Sequence, residues 1–185
     1  MKNTALVVIV VLVIVAIIIA AFLYIRRRRS RTLRKDFGPE YKRALDQYGD
    51  QRKAEAELAA RQERVSKLEI HELTHEEQVR FSDAWRKTQA RFVDDPSRAV
   101  NEANDLVKEV MRARGYPVGD FEQRAADVSV DHASVVNNYR AAYDIATRNK
   151  SGEATTEDLR QAMVHYRSLF EELLAQPTTR KEAAA

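Results

Sequence analysis

The sequence predicts an all-α protein: an N-terminal transmembrane helix, then two N-terminal helices and a helical bundle of about four main helices. Three observations carry that expectation. Residues 5–25, from Ala5 to Ile25, hold no charge and end against Arg26, Arg27, Arg28 and Arg29. Five glycines and four prolines among 185 residues leave few turns. Downstream of the apolar run, apolar residues recur at spacings of three and four, and no alternating run marks a strand.

The uncharged stretch fits a membrane span. At about 1.5 Å per residue its helix is roughly 31 Å long, close to the hydrocarbon thickness of a bilayer. A backbone in lipid must satisfy its own hydrogen bonds, which a single helix does. A cleaved secretory signal fits less well: only Lys2 precedes the run, the run is too long, and Tyr24 before arginines is a poor cleavage site. The flanks set the orientation. Arg26–Arg29, Arg31, Arg34 and Lys35 place seven cations after the run, against Lys2 and the terminal amine before it. Basic flanks stay on the cytoplasmic side, so the N-terminus is expected outside and the remaining chain inside. The alternative puts the domain on the outer side.

The seven cations, in a juxtamembrane collar at residues 26–36, are expected to meet the bilayer surface and its anionic lipid head groups. Nucleic acid is not expected, because no aromatic residues are interleaved among the arginines for base stacking. Ala16 and Ala20 make a small-xxx-small pair that can seat a second copy, so a homodimer is a candidate state.

About 150 residues remain for soluble structure. The formal charge of +3 belongs to the collar. Without Lys2 and the seven collar cations, 23 Lys and Arg stand against 28 Asp and Glu, a net of −5. A mildly acidic domain is a poor nucleic-acid binder. With no cysteine, disulfides, thiolate metal sites and thiol catalysis are excluded.

Along the chain, Pro39 suits the first turn of a short helix that stops at Gly49. Asp50 caps the next helix, to about Leu68, with a thin stripe of Ala54, Leu58, Val65 and Leu68 that suits a solvated helix or a two-helix seam. Residues 37–70 thus read as a short helix and a charged stalk. The bundle is expected over 71–176 and a loose tail over 177–185. Thr74 and Glu77 form a capping box for a helix to about Val93, with Phe81, Trp85 and Phe92 on its core face. Asp95 and Pro96 open the next, whose stripe of Ala99, Ala103, Leu106, Val107 and Val110 ends at Gly115. Asp120 and Gln123 start a short helix to about Val128. A longer helix follows from about His132 to Asn149, with Tyr139 and Tyr143 inward. The last starts at Thr155 or Thr156, buries Leu159, Met163, Tyr166 and Phe170, and stops at Pro177.

Two constellations invite a chemical reading. His71-Glu72-Leu73-Thr74-His75 matches the zinc-protease pattern, which needs both histidines on one continuous helix. Thr74 is a helix start, so they straddle a boundary, and no zinc is expected. Arg124, Asp127, Asp131 and His132 gather around the short helix with Asp120. A carboxylate–His132 acid–base unit is one reading. Capping and ion pairing that fix the short helix to the bundle is the favoured one. His165 is read as a boundary histidine hydrogen-bonded near Asp158. No catalytic residue, cofactor or metal is assigned.

Several stretches resemble a family of bacterial single-pass membrane proteins with a helical soluble domain. They are Phe37–Tyr41, Gln89–Pro96, Arg114–Pro117, Asp120–His132 and Leu159–Arg167. The resemblance implies a bacterial inner membrane location and supplies no activity. The resulting expectation is a non-enzymatic interaction or scaffold protein with an unidentified protein partner. The alternative is a ligand-sensing or regulatory domain with a pocket near His132 and Tyr139. An enzyme using Asp127, Asp131 and His132 ranks last.

Overall fold

Helix α1 (Lys2–Phe37) does not stop where the apolar run ends; it continues through the arginine collar to Phe37. Arginine and lysine are good helix formers, and no breaker occurs before Gly38 and Pro39. The structure, a computed structural model, describes residues 2–175, with side chains from Val13 onward. Among the described residues the fold is all-α, with eight helices and no strand. Pro177 and the expected tail lie outside them.

The expected transmembrane span is not supported by the described residues, among which no helix is long and apolar enough to cross a membrane. Residues 5–12 of that span carry no described side chains, and Arg26 closes the apolar remainder. From Val13 to Ile25 the large apolar side chains are all exposed, at 45–68%.

The chain divides into two compact units, Met1–Leu58 and Ala59–Ala185. The first holds α1, α2 (Pro39–Tyr48) and the opening turns of α3 (Gln51–Ser66). Gly49 takes φ +64° and closes α2, its N–H donating to the Leu45 carbonyl, as its place after Tyr48 predicts. Leu33, Phe37, Tyr41, Ala44, Ala54 and Leu58 are buried. The stripe of α3 is therefore packed rather than solvated. Glu55 knots this unit: the Tyr41 hydroxyl donates to Oε1 at 2.8 Å and Gln51 Nε2 at 2.7 Å. Burial acts to raise the Glu55 carboxyl. Hydrogen bonds from Ser30, Gln51 and Tyr41, with the Arg26 charge, more than offset that and hold it below its ordinary value.

In the second unit α4 (His75–Arg91), α5 (Pro96–Ala113), α6 (Phe121–Asp131), α7 (Val136–Lys150) and α8 (Thr156–Leu174) share one core. The caps follow the sequence. Thr74 and Glu77 make the full capping box of α4, Asp95 accepts from Arg98 N–H, and Thr155 with Asp158 makes a second box for α8. Asp120 makes half of one, accepting from Gln123 N–H.

Helix α8 is the hub, packing against both α5 and α7. Its Tyr166 is fully buried and donates to Asn104 Oδ1 on α5 at 3.2 Å. Trp85 of α4 stacks on Phe170 of α8 with ring centroids 4.7 Å apart, so the aromatic face of α4 is core, as its spacing predicts. The start of α7 differs from expectation. His132 ends α6, and the chain turns through His132–Val135 before Val136 begins α7. No side chain caps that start, and the break expected between Val128 and His132 falls about one turn too early.

Candidate functional site

The polar residues singled out around α6 are held there in four different directions. Arg124 is 4% exposed. Its Nε donates to the Tyr139 hydroxyl at 2.6 Å, and its Nη1 to the carbonyls of Gly119 at 2.7 Å and Val118 at 3.3 Å. The guanidinium thereby fixes both the turn before α6 and helix α7. Burial pushes the Tyr139 hydroxyl above its ordinary pKa, partly countered by the Arg124 charge, so the phenol stays protonated.

Asp127 faces α3 instead. It is fully buried and accepts from Arg64 Nε at 2.8 Å and from Gln123 Nε2 at 2.9 Å. A carboxylate removed from water needs such donors, because an unpaired buried charge is strongly unfavourable. Arg64 lies 63 residues earlier in the chain.

Asp131 is exposed at the end of α6 and accepts from the Tyr116 hydroxyl at 2.8 Å. His132 turns toward α8, with Nδ1 3.2 Å from Glu172 Oε1. Its Nε2 is buried and has no hydrogen-bond partner among the described residues. Burial lowers the imidazole below its ordinary pKa of 6.5; the Glu172 hydrogen bond opposes this, and the nearby Arg114 charge adds to it. The ring is therefore neutral at neutral pH. Arg114, 3% exposed, donates from Nη1 to the Leu173 carbonyl at 2.8 Å.

Arg124, Asp127, Asp131 and His132 thus do not converge on a shared space. Each ties α6 to a different neighbour: Arg124 to α7, Asp127 to α3, Asp131 to the turn after α5, and His132 to α8. An acid–base unit needs the imidazole and a carboxylate to face a space that substrate can enter. The concave surface adjoining the cluster is an open groove of about 450 Å³ lined by Val135, Val164, Arg167, Ser168, Glu171 and Glu172. Glu172 at the His132 ring and Val135 N–H on the His132 carbonyl link it to His132, and Arg167 there is paired with Glu171 at 2.6 Å. Tyr139, expected beside a pocket, is fully buried.

Sequence reasoning missed Arg64, Arg114, Tyr116 and Glu172, the partners that decide what the cluster does. None lies within one helical turn of its partner, so no spacing rule reports them. The His165 side chain makes no hydrogen bond among the described residues; Asp158 is engaged by Thr155 and lies 3.7 Å from Arg148.

The histidines of the zinc-like pattern stand on either side of a helix start. His71 belongs to the segment before α4, its N–H donating to the Arg114 carbonyl at 3.0 Å, and His75 is the first residue of α4. Among the described residues no group of three or more His, Asp or Glu is placed to hold a metal.

The collar cations fall into two sets. Arg26, Arg27, Arg31 and Arg34 line an open groove of about 450 Å³ with Leu23, Ser30 and Gln51. Arg28, Arg29 and Lys35 do not line it. The Arg34 guanidinium also lies 5.1 Å from the centroid of the Tyr41 ring.

No family model matches the chain, and neither the curated proteins nor the solved structures include a match to it.

Proposed function

We propose that the chain is a membrane-anchored, non-enzymatic interaction protein: α1 is the anchor, and the helical unit from Ala59 onward is the part presented to a protein partner. One observation carries this reading. The large apolar side chains from Val13 to Ile25 are all exposed, and in sequence the uncharged run extends back to Ala5. Soluble proteins rarely leave so long an apolar surface in water; a lipid environment removes its cost. The basic residues that follow on the same helix fit the cytoplasmic boundary of a bacterial inner membrane. The bracing of the polar groups around α6, three of them buried and Asp131 exposed, supports a structural rather than a catalytic use of Arg124, Asp127, Asp131 and His132.

The test is crosslinking of the full chain in bacterial membranes, followed by purification in detergent. The reading requires the chain to sediment with membranes after alkaline extraction and to capture a defined protein partner. Recovery in the alkaline supernatant would refute the anchor. Turnover of a small molecule that is lost in His132→Gln would refute the non-enzymatic reading.

A second reading, a ligand-sensing domain, rests on the unpartnered Nε2 of His132 beside Glu172, which lines the open groove on α8. Ligand-dependent change in the His132 ring resonances would favour it.

A further inference from the structure

The four arginines of the α1 groove are spaced so that one helix face carries them all. Leu23, Arg26, Arg27, Ser30, Arg31 and Arg34 follow one another at intervals of three and one, which keeps them on a single side of α1. Like charges at such spacing repel, so the arrangement is unfavourable unless an anion lies among them. No carboxylate lines the groove, and none of the four arginines forms an ion pair among the described residues. Glu55 borders the groove, accepting from its Ser30 and Gln51 and from Tyr41 and held low partly by the Arg26 charge, a single negative charge against four arginines; Asp50 accepts from Lys53 N–H. Gln51, from α3, walls the groove and donates to Ser30 Oγ at 3.2 Å, which holds that side in place. Guanidinium forks match phosphate oxygens two at a time.

We infer that this groove seats the phosphate of one anionic lipid head group. The inference rests on the membrane-anchored reading for its source of phosphate, because the exposed apolar surface of α1 includes Leu23, which lines the groove. It goes further than a diffuse basic collar. Arg26, Arg27, Arg31 and Arg34 form the site, whereas Arg28, Arg29 and Lys35 contribute only to the general surface charge.

The experiment titrates the full chain, in non-ionic detergent, with dioctanoyl phosphatidylglycerol and with dioctanoyl phosphatidylcholine, counting retained lipid by native mass spectrometry. One phosphatidylglycerol per chain and no retained phosphatidylcholine is expected. The double variant Arg27→Gln/Arg31→Gln should weaken binding about thirtyfold, two cations' worth near a lipid surface. The charge-matched Arg28→Gln/Arg29→Gln should stay within about twofold of the parent, because its residues lie off the groove. Gln51→Ala tests the wall contributed by α3 and should weaken binding severalfold without altering the collar charge. Helical content and melting of each variant, read by circular dichroism, must match the parent; where the double variant melts early, Arg34→Gln replaces it with a smaller expected loss. Equal losses in the two double variants would overturn the site in favour of diffuse attraction. Equal retention of phosphatidylcholine would overturn it too, as would displacement of the lipid by millimolar inorganic phosphate. Alkaline extraction of the same variants reads the anchor separately, so a chain that leaves the membrane yet binds lipid in detergent fails the anchored reading alone.

Discussion

Replacing Trp85 by alanine tests how the second unit is held together. Trp85 is 5% exposed, and its ring stacks on Phe170 at 4.7 Å, joining α4 to the hub helix α8. Truncating a buried tryptophan loses its transfer free energy and leaves a cavity that the neighbours only partly fill, about 3–5 kcal/mol in all. For a helical unit of this size that lowers the melting temperature by about 10–20 °C. The stacked geometry adds a second expectation. A double-mutant cycle of Trp85→Ala and Phe170→Leu should return a coupling of about 0.5–1.5 kcal/mol beyond the separate losses. The assay is thermal unfolding of the full chain in detergent, followed by circular dichroism. A shift below about 3 °C, with the two substitutions simply additive, would refute the claim that α4 is joined to α8 through this pair.

Three further perturbations probe other links. The His132 imidazole is held below 6.5 in the fold, so the unfolded chain takes up that proton first as the pH drops. Stability should be full above about 6.5 and decline as the pH falls through the folded value, and His132→Gln should flatten that part of a denaturation-versus-pH curve. Arg64→Met leaves the fully buried Asp127 with Gln123 Nε2 as its side-chain donor among the described residues, at 2.9 Å, and should cost about 2–3 kcal/mol in urea unfolding. Asp127→Asn/Arg64→Met should recover part of that loss. Gly115 adopts φ +92°, and a Cβ there runs into the Glu69 carbonyl oxygen. Gly115→Ala should therefore cost about 1–3 kcal/mol, whereas a cost near zero would contradict the packing of the Glu69 segment on that turn.

The helix ends were legible wherever a local signal existed. Pro39 and Gly49 bracket α2, Thr74 with Glu77 starts α4, Asp95 and Pro96 start α5, and Thr155 starts α8. The core stripes of α5 and α8 were legible for the same reason, since burial follows the helical period. Where the signal was missing, the boundary was misplaced. Val135 offers α7 no side-chain cap, and the break expected between Val128 and His132 falls about one turn before the observed one, between Asp131 and Val136. Long-range pairing was the other gap. Asp127 was identified as polar and close to a helix, yet its Arg64 partner sits 63 residues away and Glu172 lies 40 from His132. Charge alone marked these groups as candidates. Only the packing of α3, α7 and α8 around α6 tells a brace from a reactive cluster.

The orientation of the chain across a membrane tests the central claim most directly. There is no native cysteine, so single replacements Lys2→Cys and Lys150→Cys give clean reporters. In intact bacterial cells with a permeable outer layer, an impermeant thiol reagent should label the Lys2 position. The Lys150 position, exposed at the end of α7, should react only after the inner membrane is broken. Labelling at Lys150 in intact cells, or protection of Lys2 there, would contradict an anchor that leaves its N-terminus outside and its helical unit in the cytoplasm.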